Sequence, residues 1–431
     1  DERLYIARLS MIPLYPFFAI LLYLVSRKWY GRIAALGTLV LYLFNPEILA
    51  HARFITPDHM LAFMIFATLL GYYAFLHKPH SLIHAVLTGL CLGVALLTKY
   101  TSLLLVPLVF FLGIIFSIGY RQRFRPIFIG TIGVVIIAIL LLHPGYLFRE
   151  TGRLPEPFVS QRMQAMAKVP GVVPLLATVF PRAYLAGVDF QIHESSKGIW
   201  WGFFASKYYF SGLWYFYPAV FAIKTPLPFL IILVIALGAL LFRKLHTKPF
   251  ITTLILVTVA WFFLYFMFFN KLIIGLRYLL MVYPLLFLLV APIWTVYISR
   301  VSLIRRIGKG ILVGLLVWYV WGSVKIAPFY LAFANETIGG PKNIWKYVGD
   351  SNLDWDQDRK FFADYRKKHP ELTVINPHKP TLGKFAVNVN DMNLYNFDSY
   401  QWLRKLNKDP VDYIGYTWLI FEVSREDLNQ L

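Results

Sequence analysis

Charge is scarce in this sequence. Of 431 residues, 15% are Asp, Glu, Lys or Arg and 58% are hydrophobic. Soluble domains carry about a quarter charged residues, so an ordinary soluble globule is excluded. Acid is scarcer than base: 22 Asp and Glu stand against 42 Lys and Arg, a net charge of +20. In a soluble protein that surplus would point to nucleic acid; beside long apolar runs it reads first as membrane topology, and no nucleic-acid partner is expected. The single cysteine, Cys91, lies inside an apolar run, so no intrachain disulfide forms and the redox compartment leaves no mark. No cleavable signal peptide is visible. Low-complexity tracts and repeats at solenoid period are missing too.

What is there is a succession of apolar runs, each long enough to cross a bilayer core of about 30 Å. About ten spans can be drawn, at 9–26, 33–50, 58–76, 81–98, 102–118, 126–143, 226–242, 250–268, 277–298 and 309–324. The turns between them fall into two sets. One set holds Arg27, Lys28 and Arg32; Lys78; Arg121, Arg123 and Arg125; Arg243, Lys244 and Lys248; and Arg300, Arg305, Arg306 and Lys309, with no Asp or Glu. The other short turns hold Glu47, Arg53 and Asp58, then Lys99, then Lys271 and Arg277. The positive-inside rule puts the first set in the cytoplasm and both chain ends outside. A multi-pass protein of the plasma membrane is expected, with a membrane domain over 1–324.

Two regions are not spans. Residues 144–225 form a long outer loop ending in an aromatic stretch, Lys207 to Tyr217, which suits the membrane interface and is expected as a helix lying in its plane. Residues 325–431 are polar and form an extracytoplasmic domain. Ser351-Asn352 followed by Asp354 reads as a helix start, with the helix running to Lys368 before His369-Pro370. Strand-like runs follow at 372–376, 383–389 and 413–423, with a helix near 399–407, which makes a small α/β module. No Gly-rich phosphate loop or metal-spaced His/Cys cluster appears in it.

Sorted by depth, the ionisable residues gather at one interface: His51, Arg53, Asp58, Lys99, His143, Arg149, Lys224, Lys271 and Arg277, with Asn270 and Tyr278 beside them. The span middles hold almost none. A coupled transporter would place such groups near the midplane; this layout suits an enzyme acting at the outer surface on a lipid-tailed substrate with a polar head. Each residue has a bland alternative. Arg53 and Lys271 can snorkel. His143 and His193 can be hydrogen-bonded structural groups. Asp354, Asp356 and Asp358 can ligate a metal, but complementing a helix N-terminus is the favoured reading. Lys99 and Arg277 sit on the side that positive charge avoids, where a phosphate is a natural counter-ion. Asp58 needs a partner or a reaction.

Several stretches resemble one family. Asn45-Pro46 through Ala50-His51-Ala52-Arg53 to Thr56-Pro57-Asp58 is similar to the "sPxxxAHxRxxTTD" stretch of the polyprenyl-phosphate-sugar-dependent glycosyltransferases of the GT-C fold, the protein O-mannosyltransferase and aminoarabinose-transferase superfamily. Leu97-Thr98-Lys99-Tyr100-Thr101 is similar to its "tKys" turn, and Tyr215-Phe216-Tyr217-Pro218 with Lys224-Thr225-Pro226-Leu227-Pro228 to its "YFP…iKtPlp" segment. Gly275-Leu276-Arg277-Tyr278-Leu279 with Tyr283-Pro284 resembles "GxRyllPxyP". Gly349 to Asp358 resembles "DSNLDWGQD", with Asp356 in place of the usual glycine. Each motif alone is loose; their order and spacing are specific.

The resemblance implies a GT-C-type polytopic membrane enzyme that transfers a sugar from a polyprenyl-phosphate donor on the outer or lumenal face, with inversion. The acceptor would be a protein or glycolipid hydroxyl, and no cofactor is implied beyond the donor lipid. Arg53, Lys99, Lys224, Arg277, Tyr278 and His193 are the expected contacts to substrate and lipid phosphate, with Asp58 a supporting catalytic group. The family carries its main catalytic Asp on a loop after an additional first helix. That loop is not in this sequence, and Asp1-Glu2 is not given its role. The polypeptide as written is therefore expected to be nearly inactive. A flippase or transporter, or an inactive assembly subunit, is the alternative.

Overall fold

A computed structural model describes residues 6, 9, 11–121, 123–149, 152–153, 157–197, 202–242, 245, 247–296, 303–372 and 374–431. Asp1, Glu2, Arg243, Lys244 and Arg300 lie outside them.

Helices occupy every expected span. They are α1 (Leu14–Tyr30), α2 (Arg32–Leu43), α3 (Pro46–Ala52), α4 (Pro57–His77), α5 (Leu82–Thr98), α6 (Leu105–Gly119) and α7 (Phe124–Gly145). After the long loop come α8 (Gln161–Ala167), α9 (Val172–Val179), α10 (Arg182–Lys197), α11 (Phe216–Lys224), α12 (Leu227–Leu241), α13 (Pro249–Phe268), α14 (Val282–Val290), α15 (Ile293–Val296) and α16 (Leu303–Ile326). The length criterion is stricter than the count of ten. Among the described residues, five helical stretches are long and apolar enough to cross a membrane, or up to eight if each bent pair is one span. Several helices of spanning length make this a multi-pass membrane protein.

The expected span 33–50 is broken. Asn45 precedes Pro46, and the proline ring clashes with an α conformation at the residue before it. Asn45 is accordingly extended, at φ −81° and ψ 119°, and its side chain caps α3 by accepting from Ile48 N at 3.0 Å. The chain turns by 61° between α2 and α3. The carbonyls orphaned at the end of α2 must find donors inside the membrane. Tyr319 OH donates to Leu41 O at 2.6 Å, Tyr15 OH to Leu43 O at 2.7 Å, and Ser323 Oγ to Phe44 O. A second proline, Pro226, holds Thr225 extended and turns α11 against α12 by 114°.

α5 packs between α4 and α7. On its α7 side lie Gly89 and Gly93, one turn apart: a Cβ at Gly89 would meet Val134 O at 2.9 Å, and one at Gly93 would meet Ala138 O at 3.0 Å. Small residues let membrane helices approach backbone to backbone, and this contact sets the position of Lys99 at the end of α5.

The aromatic stretch is not an interfacial helix. Gly202–Phe204 (β1) and Lys207–Tyr209 (β2) form an antiparallel hairpin, and α11 starts only at Phe216. Ala205 and Ser206 both have positive φ, 50° and 62°, the geometry of a two-residue hairpin turn. Ala205 N donates to Tyr347 O at 2.9 Å and Phe204 pairs with Val348, which ties the hairpin to the polar C-terminal region.

That region follows α16, which ends at Ile326. Helix α17 runs Arg359–Lys368, starting later than expected because Ser351-Asn352 lies in a 3-10 turn and Asp356 has φ 57°. A left-handed residue ends helical continuity, and Asp is among the side chains that tolerate the conformation. Strands β3 (Val374–Ile375), β4 (Gly383–Asn388), β5 (Asp412–Ile414) and β6 (Trp418–Val423) form one mixed sheet in the order β3-β4-β6-β5. The expected run 413–423 is thus two strands around Gly415, whose φ is 62°. The expected helix near 399–407 is Gln401–Lys405, α18. Val387, Leu353 and Ile344 join one continuous core with the membrane helices.

Candidate functional site

Proline at the first position and an acid at the second make a favourable helix start, and α4 has Pro57 and Asp58 there. Lys99 is the extended residue that closes α5, with its carbonyl held by Ser102 Oγ at 2.6 Å. Arg277 sits in the 3-10 turn before α14. These three local structures meet. Lys99 Nζ donates to Asp58 Oδ1 at 2.6 Å, and Arg277 Nη1 is 3.6 Å from Asp58 Oδ2. Tyr278 lies between the cations, with Lys99 Nζ at 4.1 Å and the Arg277 guanidinium at 5.4 Å from its ring centre. Two cations thus share one carboxylate at the end of the helices opposite to Arg27, Lys78 and Arg123. Asp58 is 1% exposed, and the Lys99 and Arg277 side chains are each about 15% exposed.

The C-terminal region completes this cluster. Asn352 Oδ1 accepts from Leu276 N at 2.9 Å, which pins the turn carrying Arg277. A Cβ at Gly275 would come within 3.1 Å of Ser351 Cβ, so the two segments are in close contact. The Trp355 ring lies 4.7 Å from the Arg277 guanidinium and stacks on Phe54 with centres 5.9 Å apart. The "DSNLDWGQD"-like run therefore closes over the ion cluster rather than standing apart from it. Beside Tyr278, a cavity of about 180 Å³ runs between α10, the 3-10 turn Tyr100–Leu104 and α13, with Tyr100, Ser195 and Asn270 in its walls.

The other expected contacts stand elsewhere. Lys224 is fully buried. Its Nζ lies 2.8 Å from Glu47 Oε1 and donates to Leu331 O at 2.8 Å and to Asn352 O. It ties α11 to α3 and to the C-terminal region, which is a structural use of a charge expected at lipid phosphate. Arg53 donates to Pro328 O at 2.8 Å and lies over the Phe54 and Tyr330 rings. His193 is half-buried on α10, and His143 Nε2 lies 3.2 Å from Val179 O. Asp354 accepts from Asp356 N and from Asn388 Nδ2, and Asp358 from Thr417 Oγ1. The favoured reading had these acids complement a helix N-terminus; Asp358 directly precedes α17, and Asp354 belongs to the loop. Among the described residues no group of three His, Cys, Asp or Glu is placed to hold a metal ion. Asn335-Glu336-Thr337 has the form of an N-glycosylation sequon, but Asn335 is 1% exposed and donates to Ala222 O and Thr225 O, so the folded protein does not present it for glycosylation.

Asn352 and Trp355 form the site without having been singled out by the sequence; their signal was their place inside the "DSNLDWGQD"-like run. The architecture is that of a polytopic membrane protein with an ion cluster at one end of its helices, capped by an α/β region. Residues 4–152 match the family model described as dolichyl-phosphate-mannose-protein mannosyltransferase. That match bears out the likeness drawn from the motifs around Asp58 and Lys99. No curated protein matches the chain. A solved structure described as ArnT from Cupriavidus metallidurans bound to undecaprenyl phosphate is similar to it at 17% identity and a TM-score of 0.46. The alignment covers 79% of this chain and 55% of that one, so the chain spans little more than half of that protein's length.

Proposed function

We propose that this chain carries the donor-phosphate end of a membrane glycosyltransferase, which moves a sugar from a polyprenyl-phosphate carrier to an acceptor hydroxyl at the outer or lumenal membrane face. The observation that carries this reading is the convergence of Lys99 and Arg277 on a single carboxylate. When the bond from the anomeric carbon to the phosphate oxygen breaks, negative charge grows on the phosphate. Cations already placed there stabilise that charge without reorganising. Asp58 faces a cation with each oxygen, so it acts as the positioning group that holds both heads in place. Tyr278 and Trp355 keep them from swinging away through their ring faces.

The likeness over residues 4–152 supports the same chemistry and does not favour a transporter. The outer-face assignment draws support from charge: Arg27, Lys28, Arg32, Lys78, Arg121, Arg123 and Arg125 sit at the helix ends opposite to the cluster, as cytoplasmic turns do.

The test is binding of undecaprenyl phosphate to the purified chain, followed by native mass spectrometry, with sugar transfer measured on the full-length protein. Hydrogen bonds to charged groups contribute about 1.5–3 kcal/mol, so Lys99→Met and Arg277→Gln should each weaken binding roughly 10- to 150-fold. Unchanged affinity in both variants, with unchanged melting temperatures, would sink the assignment.

A further inference from the structure

Helix α16 lies at the edge of the bundle. Of its spanning stretch, Arg306–Ile326, 22% is buried inside the protein, the smallest share among the five described stretches long enough to cross a membrane. Ile307, Ile311, Trp318 and Trp321 are all exposed. With Gly314 they recur every three or four residues, so they form one stripe along the helix, and the next position in it is Lys325. At Gly314 a Cβ would meet nothing within 4 Å. On a membrane helix such a face meets acyl chains, and tryptophan towards its end suits the interface. Lys325 closes the stripe in the last turn of α16, at the end opposite to Arg306 and Lys309.

At Lys325 opens a cavity of about 420 Å³. α16 gives one wall, with Gly322 and Lys325; the chain from Phe333 to Lys342 gives another, with Glu336 and Lys342. Gly339 and Gly340 both take φ 78° there, a turn without side chains, and a Cβ at Gly340 would meet nothing within 4 Å. A lone lysine at a helix end can simply snorkel to water. Here two lysines from separate segments line one cavity, and among the described residues neither makes an ion pair. Glu336 is the acid in the wall, and its Oε1 accepts from Trp318 Nε1 at 2.9 Å, which holds the carboxyl towards the tryptophan. Two ammonium groups against one carboxylate leave one positive charge to be met, directly at the end of an acyl-chain stripe. Basic pockets at helix ends take the phosphates of lipid heads in this way.

We infer that this cavity binds the head of a monoanionic phospholipid, its phosphodiester between Lys325 and Lys342 and its acyl chains along the stripe through Trp321, Trp318 and Ile311. Lys325 belongs to α16 and Lys342 to the segment that enters the C-terminal region, so the bound head joins that region to the membrane helices. The site uses none of the residues around Asp58 and is independent of the transferase reading.

The experiment is native mass spectrometry of the purified chain released from nanodiscs doped with phosphatidylglycerol, phosphatidylcholine, dioleoylglycerol and undecaprenyl phosphate. The wild type should retain phosphatidylglycerol in preference to phosphatidylcholine and dioleoylglycerol. Lys325→Gln and Lys342→Gln, both at exposed positions, should each lower its retention about tenfold, as expected for one charge-assisted hydrogen bond, and leave undecaprenyl phosphate unchanged. Lys325→Arg should keep the lipid, and Lys360→Gln, an exposed lysine on α17, should have no effect. Phosphatidylglycerol should also raise the melting temperature of the wild type more than that of the Lys325→Gln/Lys342→Gln double variant. Equal retention of phosphatidylglycerol and phosphatidylcholine, or equal retention by wild type and both glutamine variants, would overturn the inference. So would a parallel loss of undecaprenyl phosphate in those variants, which would make the carrier lipid the occupant, or a lipid-free dimer broken by Trp321→Ala, which would make the stripe an interface between copies of the chain.

Discussion

At the scale of single residues, the two buried ion pairs behave differently. In the pair of Asp58 with Lys99 the lysine retains some exposure, 14%, whereas the pair of Glu47 with Lys224 is sealed, at 1% and 0% exposure. Breaking a sealed pair leaves an uncompensated charge and costs about 3–5 kcal/mol. Lys224→Met should therefore lower the melting temperature in detergent, and Glu47→Gln combined with Lys224→Met should recover much of the loss. Equal melting of Lys224→Met and wild type would refute the structural role. Asp358 offers a pH test. Its carboxyl is raised from 3.8 to about 7, first by burial, with Asp354 adding to the rise and Thr417, Arg53 and Gln357 opposing it. The folded state then binds the proton more tightly than the unfolded one, so this group's contribution falls as pH rises from about 4 to 7 and is flat above. Asp358→Asn should flatten stability over that window and exceed wild type above pH 7, by up to a few kcal/mol since each pKa unit is worth about 1.4 kcal/mol. Melting curves across pH 4 to 8 check it. Lys99, Arg277 and Asp58 were legible in the sequence because charge beside an apolar run is rare and costly. That Lys224 turns inward to Glu47 was not legible, since the motif gives its position along the chain and not the direction of its side chain.

At the scale of elements, hydropathy placed the helices and proline chemistry decided where they break. Asn45-Pro46 and Thr225-Pro226 both stand in the sequence, yet by hydropathy 33–50 is one span. A run of apolar residues carries no sign of whether tertiary donors wait for the carbonyls freed at a break, and here Tyr15, Tyr319 and Ser323 supply them. The Lys207–Tyr217 stretch failed for a related reason: aromatic content suits an interface equally as helix or hairpin. The Gly89–Gly93 contact belongs at this scale too. A branched side chain at Gly93 would meet a backbone carbonyl that cannot move aside. Gly93→Val should push α5 off α7, cost roughly 1–3 kcal/mol, and shift Lys99. Its effect on undecaprenyl phosphate binding should exceed that of Gly133→Val, where nothing lies within 4 Å of the added Cβ. Equal binding in the two variants would show that the α5–α7 contact does not set the cluster.

At the scale of the whole molecule, the ion cluster, the long loop and the α/β region share one end of the helix bundle. Orientation across the membrane is the prediction proper to this scale. With Cys91 replaced by Ala, a cysteine at Lys78 should react with an impermeant thiol reagent only after the membrane is opened. One at Lys360, exposed on α17, should react in intact cells. The reverse pattern would place the cluster in the cytoplasm and end the outer-face reading.

By itself the sequence determined that the chain lives in a bilayer, at which of its helix ends the ionisable residues gather, and which family its motifs resemble. Those follow from the free energy of burying apolar and charged groups, which acts residue by residue and is legible without a fold. Only the tertiary structure decided which charges keep some exposure and which are sealed, where the helices bend, and that Trp355 and Asn352 close over Arg277. Those depend on contacts between segments far apart in the chain, and no local pattern encodes the partner.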